Sequence, residues 1–229
     1  MAVSQYLEHL GIQIASGLVI NTSHINKFGF NPACSSSLET IWDSGGIYNY
    51  IETPSPATVA GASDTGAVVS VQGLDENYDF LTESISVGGT STNNFIRVFR
   101  LRLESHPTAE VNSGDITVTV DGAVRATMLA GKGQSLMALY TIPRRTTGYL
   151  VKFQGSIEKN QEIIFKLFSR HIDNGVFNLK GQFGSFGTPI TYDYPVPLLF
   201  KEKTDIEVRA LVGATAGAGA IFDLILVRN

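Results

Sequence analysis

Apolar and polar residues alternate with a period of two along most of the chain from Ala67 onward. Between residues 116 and 120, for example, Ile and Val alternate with Thr, and Asp121 and Gly122 follow directly. A period of two places the apolar residues on one face of a strand, and an Asp-Gly pair supplies the positive φ angles of a two-residue hairpin turn. The pattern predicts a β-hairpin at this point and a chain that is built from strands.

Further strands are expected wherever the same alternation recurs between turn signals, at intervals of roughly 10 to 14 residues. A sustained helical stripe is absent from the sequence, which favours a sandwich, jelly roll or barrel. We therefore predict an all-β fold with an antiparallel β-sandwich or jelly-roll-like body. Its later strands are expected at about residues 95–103, 135–142, 148–157, 162–170, 175–183, 188–194, 205–212 and 220–227.

The first 40 residues differ from the rest, because turn signals interrupt them at residues 21–24 and 31–32. We interpret residues 1–40 as an N-terminal extended arm and residues 41–229 as the β-sandwich body. Apolar residues in an arm tend to pack on the body or on a neighbouring subunit rather than stay in water. The arm residues expected to make such a partner contact are Leu18, Val19, Ile20, Phe28 and Phe30.

Charged residues make up 17% of the chain, which is below the usual quarter. A neutral polar surface suits a β-protein, and it also suits a chain that buries part of its surface against other subunits. The net charge of −4 is spread without a run of like charges. Because no basic stripe is present to contact a phosphate backbone, we do not expect a nucleic-acid partner.

The apolar stretches are all interrupted well before the roughly 20 residues that a membrane-spanning helix needs. The first eight residues have neither the basic start nor the long apolar centre of a secretory signal, so we expect synthesis in a cytoplasm and no membrane partner. Cys34 is the only cysteine, which excludes a disulfide within the chain.

Motifs that would support catalysis are weak throughout the sequence. The Gly131-Lys132-Gly133 segment lacks the upstream glycine and the following Ser or Thr of a phosphate-binding loop. The four histidines are scattered without metal-ligand spacing, and a Gly-x-Ser-x-Gly nucleophile elbow is absent. We therefore expect no enzymatic activity, no cofactor and no metal site.

Aromatic residues are concentrated in two clusters. We expect Trp42, Tyr48 and Tyr50 to fill the core. The second cluster is either core or partner-binding surface, because exposed aromatic rings anchor partners at low entropic cost. Residues 181–187 look like a glycine-rich loop, and the prolines at 195 and 197 argue against a central strand. The candidate partner-binding residues of this cluster are Phe183, Phe186, Tyr192 and Tyr194.

Six segments in consistent order, over about residues 40–210, resemble the virion structural proteins of podovirus-like tailed phages of marine bacteria and cyanobacteria. The chain departs from that family at Arg144-Arg145, where the family has a glycine-containing turn, and in its longer segment before Trp42. The six segments are Trp42–Gly46 followed by Tyr48, Gly73–Tyr78 with Glu83, Phe95–Val98, Asn112–Ile116, Gly133–Pro143 and Lys203–Ile206.

The resemblance implies a head-decoration, cement or capsid-fibre protein that is made in the host cytoplasm and located in the virion. Its partners would be the major capsid protein or other virion proteins, and a homo-oligomer, either a trimer or a dimer, is expected. One alternative is a tail or fibre host-recognition module that binds a glycan, with the second aromatic cluster arranged around a groove. Another is a tail or connector structural component.

Overall fold

The computed structural model describes residues 10–229, which form one short helix and sixteen strands. Where sequence alternation predicts strands, strands are present, so the all-β prediction is confirmed. The elements are α1 (Leu10–Ala15), β1 (Thr22–Cys34), β2 (Glu39–Thr40), β3 (Ser55–Ala60), β4 (Val68–Leu74), β5 (Phe80–Ser86), β6 (Thr90–Phe95), β7 (Arg97–Ser105), β8 (Ile116–Val120), β9 (Ala123–Met128), β10 (Leu139–Thr141), β11 (Thr146–Ile157), β12 (Glu162–His171), β13 (Asn178–Phe186), β14 (Ile190–Phe200), β15 (Thr204–Val212) and β16 (Ala216–Arg228).

Two antiparallel sheets form the sandwich. Sheet A has the strand order β1-β16-β11-β14, and sheet B has the order β10-β15-β12-β13, with β2 paired to β15. Phe153 of sheet A and Phe165 of sheet B are fully buried, and their ring centroids lie 5.8 Å apart between the two sheets. Side chains that meet in this way between inner faces are the core of a sandwich, which confirms the predicted architecture.

A second pair of sheets lies between β2 and β10 in the sequence. Sheet C has the order β6-β3-β8-β9 and sheet D the order β5-β4-β7. We call residues 55–128, which contain both, the inserted unit. Its buried side chains and those of the sandwich belong to one continuous hydrophobic cluster. The period-two pattern is the same on both sides of the insertion and gives no sign of it.

The described part of the predicted arm contributes a strand to the body. β1 pairs with β16 from Thr22 opposite Val227 to Cys34 opposite Ala216, so it is an edge strand of sheet A. Gly29 of β1 has no room for a side chain, since an added Cβ would lie 2.3 Å from the Ile41 carbonyl oxygen. What precedes the sheet is α1 with its connection to β1, and the predicted arm residues before Leu10 lie outside the described part.

Two turns contain residues with positive φ angles, one where the sequence favours them and one where it does not. Asp121 and Gly122 have φ angles of 52° and 70° and join β8 to β9, which confirms the predicted hairpin. Arg145, where the resemblance to phage proteins predicts a glycine-containing turn, also has a positive φ of 57°. Glycine adopts that conformation without a steric cost, so the backbone at Arg145 has the geometry that such a turn requires.

The region expected to be a phenylalanine-bearing loop is a strand instead. Residues 181–187 lie almost entirely within β13, at the edge of sheet B, where their backbone pairs with β12. β14 forms the edge of sheet A, and the pairing with β11 shifts between Leu198 and Asp193. Pro195 and Pro197 lie in that irregularity, where no ladder hydrogen bond is lost, which agrees with their predicted exclusion from a central strand.

Candidate functional site

The second aromatic cluster forms a row of rings between β13 and β14, which are consecutive strands in opposite sheets and pair with β12 and β11 rather than with each other. Phe183 stacks on the buried Phe153 with ring centroids 4.6 Å apart, and Tyr192 lies 5.4 Å from Phe183. Tyr194 continues the row at 4.8 Å from Tyr192. Phe183 and Tyr194 are half-buried, whereas Phe186 and Tyr192 are exposed. The row therefore extends from the buried ring of Phe153 to the exposed Tyr192 and the half-buried Tyr194.

The hydroxyl of Tyr194 is enclosed but makes no hydrogen bond within residues 10–229. Burial, and secondarily the neighbouring Tyr192, raises the pKa of Tyr194 to about 12. A buried hydroxyl without a partner destabilises the folded chain, and such groups are rare enough that each one asks for an explanation.

The edge strands β13 and β14, which residues 187–189 join, and the residues beside them expose several large apolar side chains. Both strands are sheet edges with one unpaired backbone side, and edges of this length are normally protected by charge or by a covering segment. We call this surface the hairpin edge. Its exposed apolar and aromatic residues are Val176, Leu179, Phe186, Tyr192, Val196 and Leu199, whose exposed fractions run from 44% to 80%.

The candidate arm residues lie on the other side of sheet A. Leu18 and Ile20 are exposed in the connection between α1 and β1, and Val19 is half-buried there. Phe28 and Phe30 are half-buried on β1. Since β1 and β14 are the two opposite edges of sheet A, the arm residues and the aromatic cluster are not brought together within one chain.

A cleft of about 670 Å³ opens between sheet B and the inserted unit. We call it the arginine cleft, because four arginines contribute to its lining together with Tyr50 and Phe177. Arg97 comes from β7 of the inserted unit and Arg125 from β9, while β12 and β15 of sheet B supply the other two. The four are Arg97, Arg125, Arg170 and Arg209.

Asp205 is fully buried beside this cleft and accepts hydrogen bonds from three side chains. Nε and Nη2 of Arg97 donate to its two carboxylate oxygens at 2.8 and 3.0 Å. Arg170 donates from Nη2 at 2.6 Å, and the Thr141 hydroxyl donates at 2.7 Å. Burial alone would lower the pKa of Arg97, but the charge and hydrogen bonds of Asp205 raise it overall. The pair joins the inserted unit to sheet B.

A second buried carboxylate repeats this arrangement two residues further along β15. Glu207 is fully buried, and Arg209 donates to its two oxygens from Nε at 2.8 Å and Nη2 at 3.1 Å. The hydroxyls of Thr40 and Tyr50 also donate to it. Buried charges persist when they are paired and hydrogen-bonded in this way.

Aromatic rings hold the guanidinium groups in place. The Arg170 guanidinium carbon lies 4.4 Å from the ring centroid of Tyr50 and 4.7 Å from that of Phe177. Arg209 lies 4.7 Å from Phe177 and 5.0 Å from Phe168. Cations at these distances are attracted by the ring quadrupole. Tyr50 and Phe177 thus serve as supports for arginines.

Sequence reasoning missed the arginine cleft entirely. Tyr50 was expected in the core, which its contacts agree with, but none of the four arginines was singled out as a candidate. A signal was present in β7, where Arg97 shares a strand face with Phe99 and Leu101. A charged residue on an otherwise apolar face usually has a buried partner.

Residues 10–229 lack two further features that would indicate a function. The described residues contain no group of three or more His, Cys, Asp or Glu side chains placed to hold a metal ion. Over the same range, no helix is long and apolar enough to cross a membrane.

Comparisons with known proteins give little for this chain. No family model and no curated protein matches it. It is similar to a chain in the structure of infectious bursal disease virus Gt strain with 10% identity and a TM-score of 0.27, over 91% of this chain and 73% of that one. Its similarity to a chain in the structure of the Gx strain of that virus has 9% identity and a TM-score of 0.24, over 90% of this chain and 75% of that one. Its similarity to a bacterial lipoprotein from Bacteroides thetaiotaomicron has 12% identity and a TM-score of 0.18, over 92% of this chain and 97% of that one. Similarities of this size carry no argument about function.

Proposed function

We propose that the protein is a structural component of a phage virion, namely a decoration or cement protein of the head shell. The observation that carries the proposal is the hairpin edge, where the edge strands of the two sheets follow each other in sequence and expose large apolar side chains such as Phe186 and Val196. A concentration of exposed apolar side chains in one segment of a chain is typical of a protein interaction site. The ordered segments that resemble phage virion proteins support a virion as the kind of assembly.

A decoration protein requires no catalysis, because it stabilises the shell by bridging its subunits. Many modest contacts, repeated over symmetric copies, add up to strong cohesion. The major capsid protein or another virion protein is the proposed partner. Leu18 and Ile20, which precede β1 and are exposed, are proposed contacts of the N-terminal segment with that partner.

We also propose a homo-oligomer, in which the hairpin edge is buried between copies. Replacing Phe186 and Val196 together by Ser should convert the oligomer to monomer in sedimentation experiments, since two large apolar anchors are lost. Val124→Ser is the matched control, because Val124 is 42% exposed on β9, away from the hairpin. A wild-type chain that sediments as a monomer would contradict this part of the proposal.

The tail or fibre host-recognition module remains the second candidate, and it is favoured by the exposure of Phe186 and Tyr192. Rings that face solvent can stack on sugars. The half-buried Phe183 and Tyr194 argue against a groove lined by all four residues, since two of the rings are partly covered.

The decisive experiment is cryo-electron microscopy of intact particles, with this chain traced into density. Density that repeats over the icosahedral shell is the expected result. Density confined to the tail would refute decoration and favour host recognition or a connector role, and absence of the chain from purified particles would refute a virion role altogether.

Truncation tests whether the N-terminal segment is needed for attachment to the shell. Removing residues 1–21 leaves β1 paired with β16, so the chain should fold but lose attachment to the shell. Removing residues 1–40 also deletes β1 and β2 and should prevent folding, because it exposes the backbone and apolar face of β16. Full attachment of the shorter truncation would contradict a role for this segment in docking.

A further inference from the structure

A second cleft opens beside the edge strand β1, where Lys27 meets the inserted unit. The cleft has a volume of about 380 Å³, which lies at the lower end of the range for small-molecule sites. Residues of β1, β4, β5, β7 and β10 line it. We call it the lysine pocket, because Lys27 lines it and donates a hydrogen bond from its amine to the carbonyl of Phe99 on β7.

Two cations line the lysine pocket without a carboxylate beside them. The lining, which lies wholly within residues 10–229, includes Lys27 and Arg100 but neither Asp nor Glu. Asp223 contacts Asn26 and His24, which are also lining residues. Its neighbours on β16 are buried in the sandwich core, so Asp223 lies on the outer face of sheet A, where these two side chains occupy it.

The described residues leave both cations poorly satisfied. Lys27 is only 3% exposed, and its amine binds one backbone carbonyl. The half-buried Arg100 makes no side-chain hydrogen bond or ion pair within residues 10–229. Burial, and then the charge of Arg100, lowers the pKa of Lys27 well below its usual value, and burial followed by the charge of Arg102 lowers the pKa of Arg100. An anion stabilises positive charge that has lost part of its water.

Three aromatic rings supply the apolar part of the pocket. The ring centroid of Phe99 lies 4.7 Å from that of Tyr140 and 6.1 Å from that of Phe80. The Lys27 amine lies 5.6 Å from the Phe99 centroid, so the cation and the rings border the same space. Phe80 is 56% exposed, whereas Phe99 and Tyr140 are buried. Small-molecule sites combine apolar walls with a few polar groups that orient the ligand.

We propose that the lysine pocket binds a small aromatic carboxylate. The carboxylate group would pair with the Lys27 amine and with the Arg100 guanidinium, whose planar fork matches two carboxylate oxygens. The aromatic body would pack against the rings of the pocket, since offset and edge-to-face contacts between rings are favourable. Inorganic phosphate is less suited, because it offers these rings no apolar surface.

Isothermal titration calorimetry of the full chain with phenylacetate tests the proposal. We expect phenylacetate to bind at least about tenfold more tightly than phenylacetamide, its neutral amide, which corresponds to about 1.4 kcal/mol. Arg100→Gln should weaken phenylacetate binding by at least about tenfold, because the planar fork is lost. Since Arg100 is half-buried and forms no ion pair within residues 10–229, this variant should fold, and thermal unfolding checks that it does.

Two further variants separate the pocket from the overall charge of the chain. Lys27→Met should also weaken phenylacetate binding by at least about tenfold, and it should fold because an apolar chain replaces a buried amine. Lys180→Gln removes a positive charge from an exposed position on β13, at the edge of sheet B opposite β10, and should leave binding unchanged. Equal losses in the Lys180 and Arg100 variants, or full binding to Lys27→Met, would place the probe outside the pocket and overturn the proposal.

Other probes decide the class of ligand. Phosphate that binds more tightly than phenylacetate would replace the organic acid by an inorganic anion, and acetate that binds as tightly would show that the rings take no part. Either result would overturn the aromatic carboxylate, as would failure of phenylacetate to bind. The lysine pocket borders β1, whereas β14 of the hairpin edge is the opposite edge of sheet A, so these outcomes leave the proposed virion function untouched.

Discussion

Two buried cations join the inserted unit to the sandwich, and they differ in their partners, since one binds a carboxylate and the other a backbone carbonyl. Arg97 extends from β7 to the fully buried Asp205 of β15 and forms two hydrogen bonds with it. Two residues further along β7, the carbonyl of Phe99 accepts a hydrogen bond from Lys27 of β1. Lys27 is buried too, but no carboxylate pairs with it among the described residues.

The electrostatics differ accordingly. Burial, and then the nearby Arg100, lowers the pKa of Lys27 well below its usual value, whereas the pKa of Arg97 is raised. Both residues belong to the same contact between the two parts of the molecule. Breaking the Arg97–Asp205 pair therefore destabilises the folded chain, whereas the buried Lys27 charge destabilises it as it stands.

The largest expected effect comes from breaking the paired site. Asp205→Asn keeps the size of the side chain but removes the charge that both Arg97 and Arg170 need. We expect a loss of about 3–5 kcal/mol in the free energy of unfolding, the usual cost of leaving a buried charge without its partner. Urea denaturation at pH 7 measures it.

Asp193→Asn is the control for that variant. It also belongs to an ion pair, with Lys152 at 3.8 Å, but the Asp193 side chain is 75% exposed. Surface pairs contribute about 0–1 kcal/mol, so this variant should be nearly neutral. Similar losses in the two variants would remove the distinction between the buried network and an ordinary surface pair.

The unpaired site gives the opposite sign. Lys27→Met fills the same space with an apolar chain, and we expect a gain of about 1–3 kcal/mol at pH 7, the range for a poorly satisfied buried polar group. The pKa of Lys27 is lowered in the folded state, so the unfolded chain binds more protons below pH 10.5 and wild-type stability rises with pH. The advantage of the Met variant should therefore shrink as pH approaches 10.5. Lys201→Met, at an exposed position, should show neither effect.

Asp43 is a buried acid that extends the comparison to negative charge. One of its oxygens accepts a hydrogen bond from the Leu136 amide, and the other has no partner within residues 10–229. Burial raises the pKa of Asp43 from 3.8 to about 7. The folded state therefore binds more protons than the unfolded state between these values, and the contribution of this site to stability falls as pH rises from about 4 to 7.

Asp43→Asn should remove this pH dependence. We expect the variant to match the wild type near pH 4 and to exceed it by about 1–2 kcal/mol at pH 8, on the scale of 1.4 kcal/mol per pKa unit reduced for incomplete burial. Thermal unfolding at both pH values measures the difference. A variant that is less stable than the wild type at pH 8 would mean that the charged carboxylate is needed there.

Local features of this fold were predictable, whereas the contacts that assemble it were not. The β8–β9 hairpin follows from alternation and one Asp-Gly pair, all within 13 residues of chain. The partner of β1 is β16, at the opposite end of the sequence, so β1 looked like an arm. Strand alternation indicates which face is buried but not which strand lies beside it.

The candidate site illustrates the same limit. Phe186 and Tyr192 were partner-binding candidates from sequence, because they belong to an aromatic cluster that is interrupted by glycines and prolines. The structure exposes both rings. Asp205 could not be linked to Arg97, which is 108 residues away, or to Arg170, which is 35 residues away. A buried ion pair depends on the folded arrangement of strands, and a single sequence carries no record of that pairing.

The smallest expected effect concerns a neutral group, the Tyr194 hydroxyl. It is enclosed and makes no hydrogen bond within residues 10–229. Lys27 and Asp43 form no ion pair over the same range, but the neutral hydroxyl, unlike them, requires no ion to be desolvated. Tyr194→Phe should therefore raise the free energy of unfolding of the isolated chain by about 1 kcal/mol, the lower end of the cost of an unsatisfied buried group. Tyr149→Phe, at a half-buried position on β11, should change it by less.

Tyr194 lies on β14 between Tyr192 and Val196 of the hairpin edge, which makes the sign of its effect informative in the assembled state. If association rearranges β14 so that the enclosed hydroxyl gains an acceptor from a neighbouring copy, Tyr194→Phe would stabilise the monomer and weaken the oligomer, because the same hydroxyl would be unsatisfied in one state and bonded in the other. Sedimentation and urea unfolding on the same preparations measure both quantities. If the variant stabilises both the monomer and the oligomer, the hydroxyl of Tyr194 is unsatisfied in both states and no neighbouring copy provides its acceptor.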